Sequence, residues 1–426
     1  MTRLILVRLF ALTLLLVISA CADSDSQRLS PTPQRVLATA TPPSTETPVP
    51  PTATPGGALL VQVWWPDSLA PLGDEDTARL LSESVDTFVS NQTQVRVEIR
   101  LKRAANQGGI LQILQSASTV APGALPDLTL MRRDDLLVAA RSGLIQPFPE
   151  GSTPQSDLFS AGISLAAFDN VTYGLPFMLE VDHIAYRTVT LVGNFSNFEA
   201  VLTDQQGFTF PAGGSGGARG MLLAQYLSAG GSSTDLSTKQ LNIAALTQVY
   251  DFYARGVTAG LFDASLLGFT QTGDYLKLLT DGDVNAALVT SSDYLAVSSI
   301  GLGAAAFPLA AGDPISAVDG WLWVMITADH ARQAAALRFV DWMANPVRMS
   351  AYSAAAGMLP ARRGALQLWS ATPYRALVDG LLMNGFVLPT DERSDACLRA
   401  IEAGLTAVLS GQRTAQQAAQ DAAASV

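Results

Sequence analysis

DNVTYGLPFMLEVDHIAYR, residues 169–187, is the stretch on which the reading of the chain turns. Asn170 and Gly174 bracket a tight polar turn, and Pro176 biases Leu175 to an extended backbone. Phe177, Leu179 and Val181 alternate with Met178, Glu180 and Asp182, and Ile184 and Tyr186 keep that spacing beyond His183. The alternation predicts a strand with a packed and an exposed face. A buried strand rarely carries two carboxylates and a histidine, so one face opens on a cleft, an interface or solvent.

Upstream, ALLVQVWWP (58–66) predicts a buried first strand ended by Pro66. Its Trp64 and Trp65 point to opposite faces, one to the core and one to the carboxyl end of the strand, where clefts of open α/β sheets form. A helix over 76–89, a strand over 95–101, a helix over 106–118, a short strand over 125–130 and a helix over 133–142 follow. This alternation predicts a mostly parallel sheet of the α/β class.

Downstream, the glycine cluster PAGGSGGARG (211–220) lacks the Gly-Lys-Ser/Thr ending of a phosphate loop and reads as a flexible turn before a helix. Amphipathic helices are predicted over 241–256, 328–344 and 395–409. AVDGWLWVMI (317–326) predicts a strand with Trp321 and Trp323 on one face and Leu322 and Val324 on the other. The last helix begins at Thr414, with Gln417 placed for a capping box.

The N-terminal region has a different chemistry. Arg3 and Arg8 precede an apolar run, residues 9–18, that is short for a bilayer span and has the layout of an export signal. Ile18-Ser19-Ala20-Cys21 resembles the bacterial lipobox, in which the cysteine thiol accepts lipid and becomes the new N-terminus. Residues 22–57 are rich in Pro and Thr and predict a stiff extended tether with no core of its own. Beyond Cys21 the only cysteine is Cys397, in an apolar helical pattern, so no internal disulfide forms and Cys397 reads as a small core residue.

A net charge of -11 with no basic stripe excludes a nucleic-acid binder. His183 and His330 share no ligand spacing, and no cysteine cluster exists, so no metal site is expected. No GxSxG, HExxH or nucleophile–base pair is present. Glu180 and Asp182 share a strand face about 7 Å apart, whereas glycosidase carboxylates flank the substrate from different elements. The residues therefore point to a binding protein rather than an enzyme, with a ligand role for at least one of Trp65, Trp321 and Trp323.

The order of motifs resembles the family 1 extracellular solute-binding proteins of ABC importers, the maltose-binding type. LPDLTLMRRDDLLVAARSGLIQPF, YGLPFMLEVDHIAYR, LTDGDVNAALVTSSDYL, DGWLWVMITADHARQAAALRFVDWMANP and GMLPARR carry it, with the tail LSGQRTAQQAAQDAAAS. Ala287 stands where methionine is usual, and Asp319-Gly320 replaces the usual double glycine. The resemblance implies a periplasmic-binding-protein-like fold of class II type, two discontinuous α/β lobes joined by a hinge of crossing strands. Lobe 1 would take residues 58–168 and 315–360, and lobe 2 residues 169–314 and 361–426, behind a signal peptide (1–20) and a tether (21–57).

By position, the resemblance makes Trp65 a cleft residue, Asp134 or Asp135 a polar contact at a strand end, and Glu180 and Asp182 part of the crossing. It places Tyr294 near the family's aromatic position, and Asp319, Trp321 and Trp323 in the return strand. Aromatic faces would stack on sugar rings and carboxylates would accept hydroxyl hydrogen bonds; the same carboxylates suit a polyamine or another cation. The implied function is a lipid-anchored extracytoplasmic receptor, without cofactor, handing a sugar to ABC permease subunits as a monomer. A receptor for a polyamine, a glycerol phosphate ester or another small organic solute is the alternative, and a surface carbohydrate-active enzyme the second alternative.

Overall fold

The computed structural model describes residues 57–70, 75–105, 107–149, 156–214, 216–298 and 301–426. The leader, Cys21 and the Pro/Thr-rich stretch through residue 56 lie outside the described residues.

Apolar alternation in β1 (Leu59–Pro66) places it mid-sheet, with β2 (Val95–Lys102) and β3 (Leu128–Arg132) parallel on either side. Ala167–Phe168 (β4) and Val171–Thr172 (β5) form a hairpin whose turn is Asp169-Asn170, both at positive φ (49° and 62°). Asp and Asn tolerate that conformation better than other side chains, so a two-residue turn forms without glycine. Gly174–Arg187 (β6) follows as one uninterrupted strand. Ala286–Thr290 (β7), Leu302–Ala305 (β8), Val318–Met325 (β9) and Leu359–Pro360 (β10) complete the strands.

The α/β class holds, but the expectation of a mostly parallel sheet holds only for β1, β2 and β3; every pairing of β6 and β9 among the described residues is antiparallel, because these strands return across the sheet instead of repeating the strand–helix unit. β9 lies between β3 and β6 and is antiparallel to both. β6 changes company part-way. Its residues 174–181 pair with β9, while residues 182–187 pair with β7 and β8. The ladder slips between Pro176 and Met178, and Gly320 fills the narrow point: a Cβ there would lie 2.1 Å from the Met178 carbonyl oxygen. Only glycine allows so close a backbone approach.

Two large hydrophobic cores flank that change. The first gathers β1, β3, residues 175–181, β9 and residues 335–382; the second gathers residues 184–309 and 397–422. A smaller cluster around Ala185, Tyr275 and Tyr294 packs beside β7. These cores divide at other points than the expected lobe boundaries. Leu175 to Val181, expected in lobe 2, bury in the first core, as do Ala361, Leu366, Val378 and Leu382. Apolar periodicity shows that such residues are buried but not which of two cores receives them. Cys397 is fully buried in the second core, its thiol directed to the Leu236 carbonyl.

Three tryptophans on β1 and β9 show how depth changes along a face. Register aligns Leu130 with Trp323 and Arg132 with Trp321. Trp323 is fully buried, packed edge-on against Trp65 at 5.5 Å and Phe339 at 6.0 Å. Trp321 is 6% exposed, and Asp319, two residues further along, reaches open space. The expectation that Trp65 faces a cleft is corrected. It is fully enclosed by Phe177, Trp323 and Tyr352, and its indole N–H donates to the Tyr352 hydroxyl at 3.1 Å. The helix Pro346–Ala355, which carries Tyr352, covers the end of β1 that the sequence left open.

Candidate functional site

A cavity of about 250 Å³ lies where β6 leaves the first core for the second. The end of β3 and the start of the helix Arg133–Arg141 supply Arg132, Arg133 and Asp134. β6 supplies Glu180 and Asp182, β9 supplies Asp319, and the residue before β9 supplies Ala317. From the second core come Gly216, Gly217, Gly220 and Thr290. No aromatic side chain of the described residues lines it.

Arg132 organises the first-core side. Its Nη2 donates to Asp319 Oδ2 and to Glu180 Oε2, both at 2.6 Å, and its Nε reaches Asp319 Oδ2 at 3.1 Å. Burial alone would lower its pKa, but Glu180 and Asp319 raise it overall. Its guanidinium also lies over Trp321, 5.7 Å from the ring centroid, and so separates that indole from the cavity. Glu180 Oε1 accepts from the Ser292 hydroxyl, a link from β6 to the helix Ser291–Val297. Arg133 turns away, donating from Nη1 to the carbonyls of Leu165 (2.6 Å) and Ser164 (3.1 Å).

Asp182 sits at the crossing point. Its backbone N–H pairs with the Ser316 hydroxyl oxygen at 2.9 Å. Its carboxylate takes no hydrogen bond or ion pair from any described residue. Burial, then repulsion from Glu180, Asp319 and Asp293, push its pKa up to about 7, with Arg132 opposing. Next to it, a Cβ on Gly220 would lie 2.8 Å from Asp182 Oδ2 and 2.9 Å from the Ala317 Cβ. The glycine therefore lets the first turn of the helix Arg219–Ser228 close on the crossing. Glu402 holds that turn in place, accepting from Gly216 N–H (3.0 Å) and Arg219 Nε (2.8 Å), while Arg219 also binds Asp395 at 2.7 Å.

Of the residues singled out in the sequence, Asp134, Glu180, Asp182 and Asp319 come together around this cavity. Asp135 is half-buried beside it and does not line it; burial and Asp134 raise its pKa. Trp65 and Trp323 lie in the first core, and Trp321 lies beneath Arg132. Tyr294 is also displaced from the expected role. It is 6% exposed, stacked on Tyr374 at 4.5 Å, and its hydroxyl donates to the Leu302 carbonyl. His183 lies edge-on to both tyrosines, fully buried, its pKa lowered to about 4 by burial.

Sequence reasoning missed Arg132, Arg133 and the glycines. RRDD was read only for its two aspartates, although the arginines precede them at the strand end. The glycine cluster was correctly placed before a helix, but its contact with Asp182 spans a long sequence separation and leaves no local signal.

Solved structures share this fold. The cyclic α-maltosyl-1,6-maltose binding protein from Arthrobacter globiformis superposes with a TM-score of 0.68 over 87% of this chain and 98% of that one, at 17% identity. A cyclo/maltodextrin-binding protein complexed with maltotetraose gives 0.67, covering 87% and 97% at 15% identity. The maltose-binding periplasmic protein MalE from Listeria monocytogenes, in complex with maltose, gives 0.67 over 85% and 95% at 15% identity. At such identities the likeness establishes the two-lobed, periplasmic-binding-protein-like fold. No curated protein matches by sequence. A family model described as bacterial extracellular solute-binding protein matches residues 85–376, and the chain belongs to that family.

Proposed function

We propose that the chain is a membrane-anchored extracytoplasmic receptor that captures a small solute between its lobes and delivers it to an ABC import permease. A mono- or oligosaccharide is the solute class the reading favours. Its support is the cavity at the β6 crossing, where carboxylates and glycine backbone from both cores surround one space. Such groups accept hydroxyl hydrogen bonds, and a ligand touching both cores favours whichever arrangement brings them closest. The lobes expected at 58–168 with 315–360 and at 169–314 with 361–426 are proposed with their edges moved to follow the cores, residues 174–181 and 361–382 joining lobe 1 and β6 forming the first hinge crossing. Lipid on Cys21 would hold the chain at the outer face of the membrane, the tether spacing the folded body from it. The family's members are binding proteins, and the proposal includes no catalytic step.

The test is calorimetric titration of the full-length chain in detergent micelles against mono- and oligosaccharides. Saturable binding without turnover, weakened tenfold or more by Glu180→Gln or Asp319→Asn, is the expected result. Binding unaffected by both substitutions would place the solute elsewhere, and hydrolysis of an added saccharide would favour the enzyme.

A further inference from the structure

Among the described residues, four carboxylates line the cavity, those of Asp134, Glu180, Asp182 and Asp319, against two guanidinium groups, those of Arg132 and Arg133. The Arg132 guanidinium is committed to two carboxylates, whereas Arg133 is held by neutral carbonyls through Nη1 alone and its buried Nε has no hydrogen-bond partner among the described residues. Arg132 is bound by Glu180 and Asp319, and Arg133 donates to the carbonyls that end the helix Ser160–Leu165. Asp182 and Asp134 are left without a hydrogen bond or ion pair from any described residue. The aromatic faces that would hold a neutral sugar ring by stacking are absent from the described lining, because Trp321 lies under Arg132 and Trp65 and Trp323 are fully buried. The site is thus poor in the groups that grip neutral rings and has anionic charge to spare.

We infer that the solute taken by this cavity carries a protonated amine, as an amino sugar or another hydroxylated amine does, with the ammonium seated on Asp182 and Asp134 as a second anionic contact. This rests on the reading of the cavity as the solute site. The first turn of the helix Arg219–Ser228 near Asp182 favours the ionised carboxylate. Three other carboxylates oppose it: Glu180 on β6, Asp319 on β9 and Asp293 on the helix Ser291–Val297. Arg132 on β3 favours ionisation, and the Tyr275 phenol is also within electrostatic reach. An arriving ammonium adds the missing cation and leaves Asp182 fully ionised. Amine binding therefore releases a proton to the extent that Asp182 is protonated beforehand.

The experiment titrates the full-length chain in detergent micelles with glucosamine against glucose, galactosamine against galactose, and putrescine, in two buffers of different ionisation enthalpy. The expected result is that an amine probe binds at least tenfold more tightly than its neutral counterpart. Its apparent enthalpy should change with the buffer, and Asp182→Asn should weaken it tenfold or more. A neutral sugar binding as tightly as its amine overturns the inference and leaves the solute receptor standing. Amine binding with no buffer dependence at about pH 6, where the amine is already fully protonated and only the carboxyl can release a proton, overturns the seat on Asp182, a readout that needs no variant to fold. Failure of every probe to bind counts against the inference and the receptor reading together.

Discussion

Arg132 Nη2 stands 2.6 Å from Glu180 Oε2, joining the end of β3 to β6 across the intervening strand β9. A second bond of the same length to Asp319 makes one guanidinium the counterion of two carboxylates.

Replacing Arg132 by Met leaves both carboxylates unpaired beside Asp182. Breaking a fully buried pair costs about 3–5 kcal/mol, but the Arg132 side chain is 38% exposed, so solvent recovers part of it. A loss of about 1–3 kcal/mol is expected, measured by urea unfolding. A variant within 0.3 kcal/mol of the parent would show the triad to be energetically idle.

Asp182 makes stability depend on pH. Its pKa rises from 3.8 to about 7 on folding, so the folded chain holds the proton more tightly. Its contribution is complete below pH 3.8 and is lost as pH rises through about 7. The stability of the parent minus that of Asp182→Asn should therefore fall between pH 4 and pH 7, by at most about 4 kcal/mol. A difference that stays flat over that range would contradict the assigned environment.

His183 acts with the opposite sign. Its pKa falls from 6.5 to about 4 on folding, so its contribution is present above pH 6.5 and is lost as pH drops through 4. Thermal melts of His183→Gln should show a shallower decline on the acid side than the parent. Equal acid slopes would assign the decline to other groups.

Trp65→Ala should act on stability rather than on the solute. Removing a fully buried indole that fills the space between Phe177, Trp323 and Tyr352 is expected to cost about 3–5 kcal/mol. Trp65→Phe keeps most of the packing but strips the indole donor from Tyr352. The phenylalanine variant should bind solute within twofold of the parent; a large loss there would restore Trp65 to the site.

Gly220→Ala reverses a familiar expectation. Alanine within a helix normally gains about 1 kcal/mol over glycine. Here the new methyl would meet Asp182 Oδ2 at 2.8 Å and the Ala317 Cβ at 2.9 Å. The melting temperature should fall, and solute affinity with it, because the methyl displaces the carboxylate at the crossing. A rise in melting temperature would mean that this wall yields freely.

The sequence was most legible where one local rule decided the outcome. Alternation from Phe177 to Tyr186 identified β6, and the strand–helix succession before it identified the α/β class. The capping box at Thr414 and Gln417 was also readable, being set by neighbours three residues apart. Depth was not readable. Trp323, Trp321 and Asp319 share one face of β9, yet they pass from core to cavity, a change set by what packs over the strand and not by its own alternation. The aromatic site therefore went to residues that are correctly in strands and wrongly at the surface. Asp182 and Gly220 show the other limit, since their approach depends on how the second core docks against β6 and on Glu402 holding the glycine turn.

Among the described residues, the chain passes between the two large cores at three places, after residues 181, 309 and 382. An odd number of passages leaves β1 in the first core and the final helix, Ala415–Ala424, in the second. A donor dye near residue 59 and an acceptor near residue 424 would then form a built-in gauge. Their transfer efficiency would track the separation of the cores, reporting any change a solute brings without touching the cavity.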